Sequence, residues 1–185
     1  MARIWPLLLV AVLLLGSCST TRAKSQAALA EEAIRAGHWE RAAALYEDAL
    51  SLTPNNPQWR YNQLWALLQN KEYEQVITLS EEAAKDFQNY LEFLQIRAKA
   101  LLEIGRKSEA FELYEEIFEK NPGARELQAL VMETALEADE SAVAEKLAKS
   151  LIGHKEWEKR ALVVLQTLYP DSWYELALAY LSRQP

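Results

Sequence analysis

The segment GHWERAAALYEDALSLTPNN, residues 37–56, decides the fold. Its core-type residues Ala42, Tyr46 and Ala49 are spaced three or four positions apart, which is the spacing of one face of an α-helix. A glycine precedes the apolar pattern and Pro54 follows it, and both residue types end helices. The segment therefore predicts a short amphipathic helix with a turn on each side.

The same pattern returns 34 residues later. The segment GRKSEAFELYEEIFEKNP carries Gly105, Ala110, Tyr114 and Pro122 at the offsets found in the first segment. A weaker copy lies between the two, and a fixed period of this length is typical of stacked helix pairs. Three copies tile the chain without gaps, at residues 23–56, 57–90 and 91–124.

The first segment resembles the second helix of a tetratricopeptide repeat. The matching positions are Gly37, Trp39, Ala42, Tyr46, Ala49 and Pro54. Small residues let two helices approach closely, and the tyrosine fills the space toward the next repeat. The later full copy departs from the motif at Lys107 and Ile117. The resemblance implies an all-α fold, a right-handed superhelical solenoid of antiparallel helix pairs, with a function in binding proteins.

Beyond residue 124 the signature fades, although helical periodicity continues over residues 126–138, 142–152 and 155–168. We interpret residues 125–185 as degenerate repeats and C-terminal capping helices, because the last repeat of a solenoid needs a covering element. Residues 173–180 either start a truncated repeat or form the second helix of a fifth pair. The sequence leaves both possibilities open.

The N-terminus has the layout of a secretory signal. Residues 1–17, MARIWPLLLVAVLLLGS, place Arg3 before an apolar run of twelve residues, which is short of the roughly 20 needed to span a bilayer. Cys18, the only cysteine, follows Leu-Gly-Ser, and this resembles the lipobox of bacterial lipoproteins. The resemblance implies cleavage before Cys18, acylation of its thiol by a lipid such as palmitate, and a short lipid tether at residues 18–22. The alternative is a chance cysteine.

Charge and the residue after the cysteine bear on partners and location. Without residues 1–17 the chain has 19 basic and 27 acidic side chains, a net charge of −8, which argues against nucleic acid as a partner. Ser19 resembles the sorting pattern of outer-membrane lipoproteins in Gram-negative cells. We therefore expect a lipid-anchored protein of the bacterial envelope, at the outer membrane and facing the periplasm.

The sequence offers little for catalysis. It has two histidines and none of the HExxH, GxSxG or glycine-rich phosphate-loop motifs. His154 precedes Glu156 and Glu158, but further metal ligands at a suitable spacing are missing. The pairs of adjacent glutamates fit solvated helix faces. We predict no enzyme activity, no cofactor and no metal site.

The resemblance also places a concave binding surface on the first helix of each pair. In this family, the residues of the concave surface are the second, fifth, ninth, twelfth and thirteenth of each copy. The candidate binding residues are Arg35, Gln58, Tyr61, Trp65, Gln69, Gln95 and Lys99. Exposed aromatics on such a face are natural anchors, although Trp65 fits a core position equally well. Ala27 and Glu31 stand where chaperone-binding members carry a Lys and Asn clamp, which excludes that class.

Two functions fit these features. The first is a membrane-anchored scaffold that binds a protein partner of the envelope, in assembly, secretion or transport. The alternative is a carrier of a small apolar ligand that cooperates with a periplasmic transporter component, and a closed apolar cavity beside Tyr61 and Trp65 would favour it. A hydrolase has no supporting residues.

Overall fold

The computed structural model describes residues 5–88 and 90–182, without the side chains of residues 5–18 and 180. In these ranges the chain is all-α, as the sequence predicted, with ten helices and no strand. The helices are α1 (Trp5–Arg35), α2 (Trp39–Leu52), α3 (Pro57–Gln69), α4 (Tyr73–Asp86), α5 (Glu92–Glu103), α6 (Lys107–Lys120), α7 (Arg125–Glu137), α8 (Ser141–Leu151), α9 (Glu158–Leu168) and α10 (Trp173–Leu181).

The helices form two compact units, and the division falls inside α5. Unit 1 comprises residues 1–96 and unit 2 comprises residues 97–185. In unit 1, α1 packs on α2, α2 on α3, and α3 on α4. In unit 2, each helix from α6 to α10 packs on the next one, and α7 also contacts α9. Each unit is therefore a stack of consecutive helices joined by short turns.

A backbone motif recurs every 34 residues where the first helix of a pair ends. Gly37, Lys71, Gly105 and Asp139 all have a positive φ, between 63° and 80°. At the first of them, Gly37 N–H donates to the carbonyl of Ile34 at 3.0 Å, and His38 N–H donates to that of Ala33 at 2.9 Å. The same two hydrogen bonds form at the other three positions. This Schellman arrangement satisfies carbonyls at the helix end and turns the chain back.

The 34-residue spacing continues where the sequence signature fades. The second helices of four successive pairs begin two residues after each positive-φ position, at Trp39, Tyr73, Lys107 and Ser141. The helix α10 packs on α9.

The core of unit 1 interlocks small and large side chains. Tyr46 and Ala49 of α2 are fully buried against Ala27 and Ala30 of α1. The Tyr46 hydroxyl accepts a hydrogen bond from the Asn62 amide of α3 at 3.0 Å, so the buried ring also reaches the next helix pair. Close helix approach through alanine, with a tyrosine spanning to the neighbour, is the packing that the motif predicts.

The core of unit 2 follows the same plan. Tyr114, Met132, Leu151 and Leu165 come from four successive helices and are almost completely buried. At the edge of this core, Arg160 of α9 donates two hydrogen bonds to the Glu133 carboxylate of α7, at 2.6 and 2.5 Å. The paired geometry fixes α9 beside α7.

The N-terminal predictions fall mostly beyond what the structure describes. Residues 1–4 and the side chains of residues 5–18, including Cys18, lie outside the described residues. The backbone of residues 5–35 forms the single helix α1. Among the described residues, none of the helices combines the length and the apolar character that a bilayer crossing requires.

Candidate functional site

The candidate site of unit 1 is a row of side chains along α3. The helix begins at Pro57, and the Asn56 side chain accepts a hydrogen bond from Trp59 N–H at 3.0 Å, so the chain turns sharply into α3. Leu64 and Leu67 are buried on one side of α3. The opposite side carries the predicted binding residues of this helix, Gln58, Tyr61, Trp65 and Gln69. We call these four residues the α3 row.

Trp65 is both a packing residue and a surface residue. Its ring lies 5.1 Å from the ring of Trp39, the first residue of α2, in an edge-to-face arrangement with an interplanar angle of 83°. The Trp65 side chain is nevertheless only half-buried. Trp65 therefore packs against α2 and also leaves part of its side chain exposed, so its role as a binding anchor stays a prediction.

Tyr61 has a neighbour that the sequence reasoning missed. Tyr90, in the turn before α5, places its ring 6.5 Å from the Tyr61 ring at an angle of 60°. The Tyr90 hydroxyl donates a hydrogen bond to Gln58 Oε1 at 3.1 Å. Tyr90 is the last residue of the second copy, and the repeat pattern assigns no binding role to that position. The sequence therefore did not predict Tyr90 as a site residue.

The electrostatics of this pair are set by burial and one carboxylate. Burial raises the pKa of the Tyr61 phenol, and the negative charge of Glu92 raises it further. Burial, Glu92 and Tyr61 together raise the pKa of Tyr90 in the same direction. Both rings are therefore neutral at physiological pH and lie in the negative potential of an exposed carboxylate at the start of α5.

The other predicted binding residues are more scattered. Arg35 is exposed at the end of α1. Gln95 and Lys99 lie one turn apart on α5, but Gln95 belongs to unit 1 and Lys99 to unit 2. Ala27 is buried with 3% of its surface exposed, so this position offers no side chain to a ligand.

Unit 2 has an open groove of about 510 Å³ between α7 and α9. It is lined by Glu133, Leu136, Glu137, Lys159, Arg160, Val163 and Val164. Its three α7 residues are the ninth, twelfth and thirteenth counted from Arg125, which are inner-face positions of the repeat. These three residues are predictable from the sequence if a fourth copy begins at residue 125. The sequence signature of the repeat is too weak beyond residue 124 to indicate that copy.

The stacked helix pairs of this chain, which repeat every 34 residues, place it in the class of helical-repeat proteins. Residues 27–91 match the family model of the tetratricopeptide repeat. No curated protein sequence matches the chain. The match lies within unit 1, and this part of the chain is similar to the tetratricopeptide repeat family.

Solved structures extend the likeness over most of the chain. MamA from Desulfovibrio magneticus RS-1 is 15% identical with a TM-score of 0.73, covering 88% of this chain and 92% of its own. A tetratricopeptide repeat protein from Parabacteroides merdae is 14% identical with a TM-score of 0.73, covering 89% and 68%. The second such domain of human RPAP3, solved with an HSP70 peptide, is 18% identical with a TM-score of 0.55, covering 64% and 97%. These similarities confirm the predicted fold, a tetratricopeptide-like solenoid.

Proposed function

We propose that the chain is a scaffold that captures an extended segment of a partner protein along the α3 row. The observation that carries this proposal is the arrangement of Tyr61 and Trp65. Both are half-buried, they lie one helical turn apart, and each is held by a second aromatic ring, from Tyr90 and Trp39 respectively.

Rings held in this way suit binding because their side chains have little conformational entropy left to lose when a partner binds. Aromatic side chains supply much of the energy at protein interfaces, and rings already held by neighbours lose less conformational entropy. Gln69, exposed at the end of the α3 row, adds an amide group that can both donate and accept hydrogen bonds, whereas the Gln58 amide already bonds to Tyr90 and Asn62. An extended peptide needs such partners for its own backbone groups. The human RPAP3 domain, which has the same fold, is solved with a peptide bound.

The proposal includes attachment to the bacterial envelope through a lipid on Cys18. The first buried side chain of α1, among those that the structure describes, is Ala23, followed by Ala27 and Ala30. Cleavage before Cys18 would therefore leave intact the part of α1 that is known to pack on α2. The partner would be a periplasmic or outer-membrane protein.

The capture surface can be tested by site-specific photo-crosslinking in cells. A photoreactive amino acid replaces Gln69, which is exposed at the end of the α3 row, or Glu47, which is exposed on α2. We expect adducts to a partner protein from position 69 and none from position 47. The Tyr61→Ala, Trp65→Ala double variant should lose the adduct, because truncating interface aromatics often costs about 2 kcal/mol or more each.

The control for this experiment is the fold of the double variant. Thermal melts followed by circular dichroism must show a folded protein, since Trp65 also packs on Trp39. Retained capture by a folded double variant would contradict the proposal and favour the groove between α7 and α9.

A further inference from the structure

We propose that Tyr61, Tyr90 and Glu92 bind a Lys or Arg side chain of the partner segment, placed two residues from an apolar residue that contacts Trp65. This inference rests on the proposed function and names the chemistry of the ligand.

The Tyr61 and Tyr90 rings, both half-buried, meet at an angle and form what we call the tyrosine corner. Their centroids are 6.5 Å apart, and the planes are tilted by 60°. The hydrogen bond from the Tyr90 hydroxyl to Gln58 fixes the orientation of that ring. A cation is attracted to the face of an aromatic ring within about 6 Å of its centroid, so a corner of two rings offers a cation two such faces.

Glu92 adds a charge that favours a cation over a neutral group. It is exposed, and across residues 5–88 and 90–182 no ion pair of Glu92 is found. Glu92 lies two residues after Tyr90, and its negative charge raises the pKa of both phenols. An arriving ammonium or guanidinium group would therefore meet a carboxylate and two neutral rings together.

The spacing of the ligand follows from the geometry of α3. Tyr61 and Trp65 are four residues apart, which on a helix rising 1.5 Å per residue separates them by about 6 Å. In an extended chain, side chains on the same side are two residues apart, or about 6.6 Å. If an apolar residue of the extended partner segment contacts Trp65, the residue two positions before or after it in that segment therefore lies at the tyrosine corner.

The test uses the full-length protein in detergent and short Gly-Ser peptides with blocked ends. One peptide carries Leu and Arg two positions apart, and its matched control carries citrulline, which keeps the shape of Arg without the charge. Calorimetric titration gives the ratio of the two dissociation constants. We expect the Arg peptide to bind roughly threefold to tenfold more tightly to the wild type, with an advantage that shrinks as salt is raised.

Two variants locate the effect. Glu92→Gln should bring the ratio close to one, whereas Glu47→Gln, an exposed glutamate of α2, should leave it unchanged. Equal binding of the two peptides to the wild type, a ratio unaffected by Glu92→Gln, or no measurable binding of the Arg peptide would each overturn the inference. A partner adduct from position 69 that persists in those cases would leave the scaffold function standing, because the crosslink does not depend on charge.

Discussion

Tyr114 on α6 shows how burial changes the chemistry of a single residue. Only 2% of its surface is exposed, and burial raises the pKa of the phenol to about 12, against an ordinary value of 10.0. The folded state therefore resists ionisation of this side chain over a pH range in which the unfolded chain already ionises. The phenol contributes its full share of stability below pH 10 and loses it as the pH rises toward 12.

This gives a prediction about alkaline unfolding. The free energy of unfolding of the wild type should fall by about 2 kcal/mol between pH 10 and pH 12 because of Tyr114, since a full pKa unit corresponds to about 1.4 kcal/mol and the unfolded chain begins to ionise near pH 10. Tyr114→Phe keeps the ring but removes the ionisable group, so its stability should fall less over the same range. Urea unfolding at several pH values measures the difference, and parallel curves for the two proteins would contradict the assigned burial.

The candidate site could be predicted only in part, for reasons that are visible at single residues. Tyr61 and Trp65 were found because the family's positions on the first helix can be counted from the sequence. Tyr90 was missed because it lies in a turn, where position in the repeat says little about which way a side chain points. The half-burial of Trp65 depends on the contact with Trp39, which is 26 positions away.

At the scale of the helix, the four positive-φ positions show how a repeat outlasts its sequence signature. Gly37 and Gly105 adopt this backbone without strain, whereas a side chain opposes it at Lys71 and Asp139. The same pair of terminal hydrogen bonds forms at all four, so helix packing imposes the turn where glycine is absent. A search for glycine therefore finds only two of these four turns.

Lys71→Gly should therefore stabilise the protein. Removing the side chain relieves a conformation that costs an ordinary residue about 1 kcal/mol, and the larger freedom of glycine in the unfolded chain offsets part of that gain. We expect an increase of up to about 1 kcal/mol in the unfolding free energy measured with urea. Asp139→Gly should gain less, because aspartate tolerates a positive φ better than lysine does.

The neighbouring residue provides the control. Asn70 has a φ of −79°, an ordinary helical value, so Asn70→Gly relieves nothing and should lower stability or leave it unchanged. If Lys71→Gly were no more stable than Asn70→Gly, the strain assigned to position 71 would be refuted.

At the scale of the whole chain, the negative charge means that the proposed attachment to a membrane would depend on the proposed lipid. A net charge of −8 after removal of residues 1–17 repels the anionic surface of a bilayer. One acyl chain holds a protein to a bilayer only marginally, and a second chain makes the attachment lasting. The proposed location thus depends on the chemistry of one thiol, that of Cys18.

Cys18→Ser should abolish lipid attachment and leave the precursor uncleaved, because serine has nearly the same shape but lacks the sulfur atom to which the lipid would be attached. Cells grown with radiolabelled palmitate should label the wild type and the control variant Ser25→Ala, whose position on α1 is exposed, but not Cys18→Ser. The Cys18→Ser protein should also migrate as the larger precursor on a denaturing gel. Label in all three proteins would refute the lipoprotein assignment, whereas absence of label from all three, with each one cleaved, would indicate an ordinary secretory signal and a partner reached without an anchor.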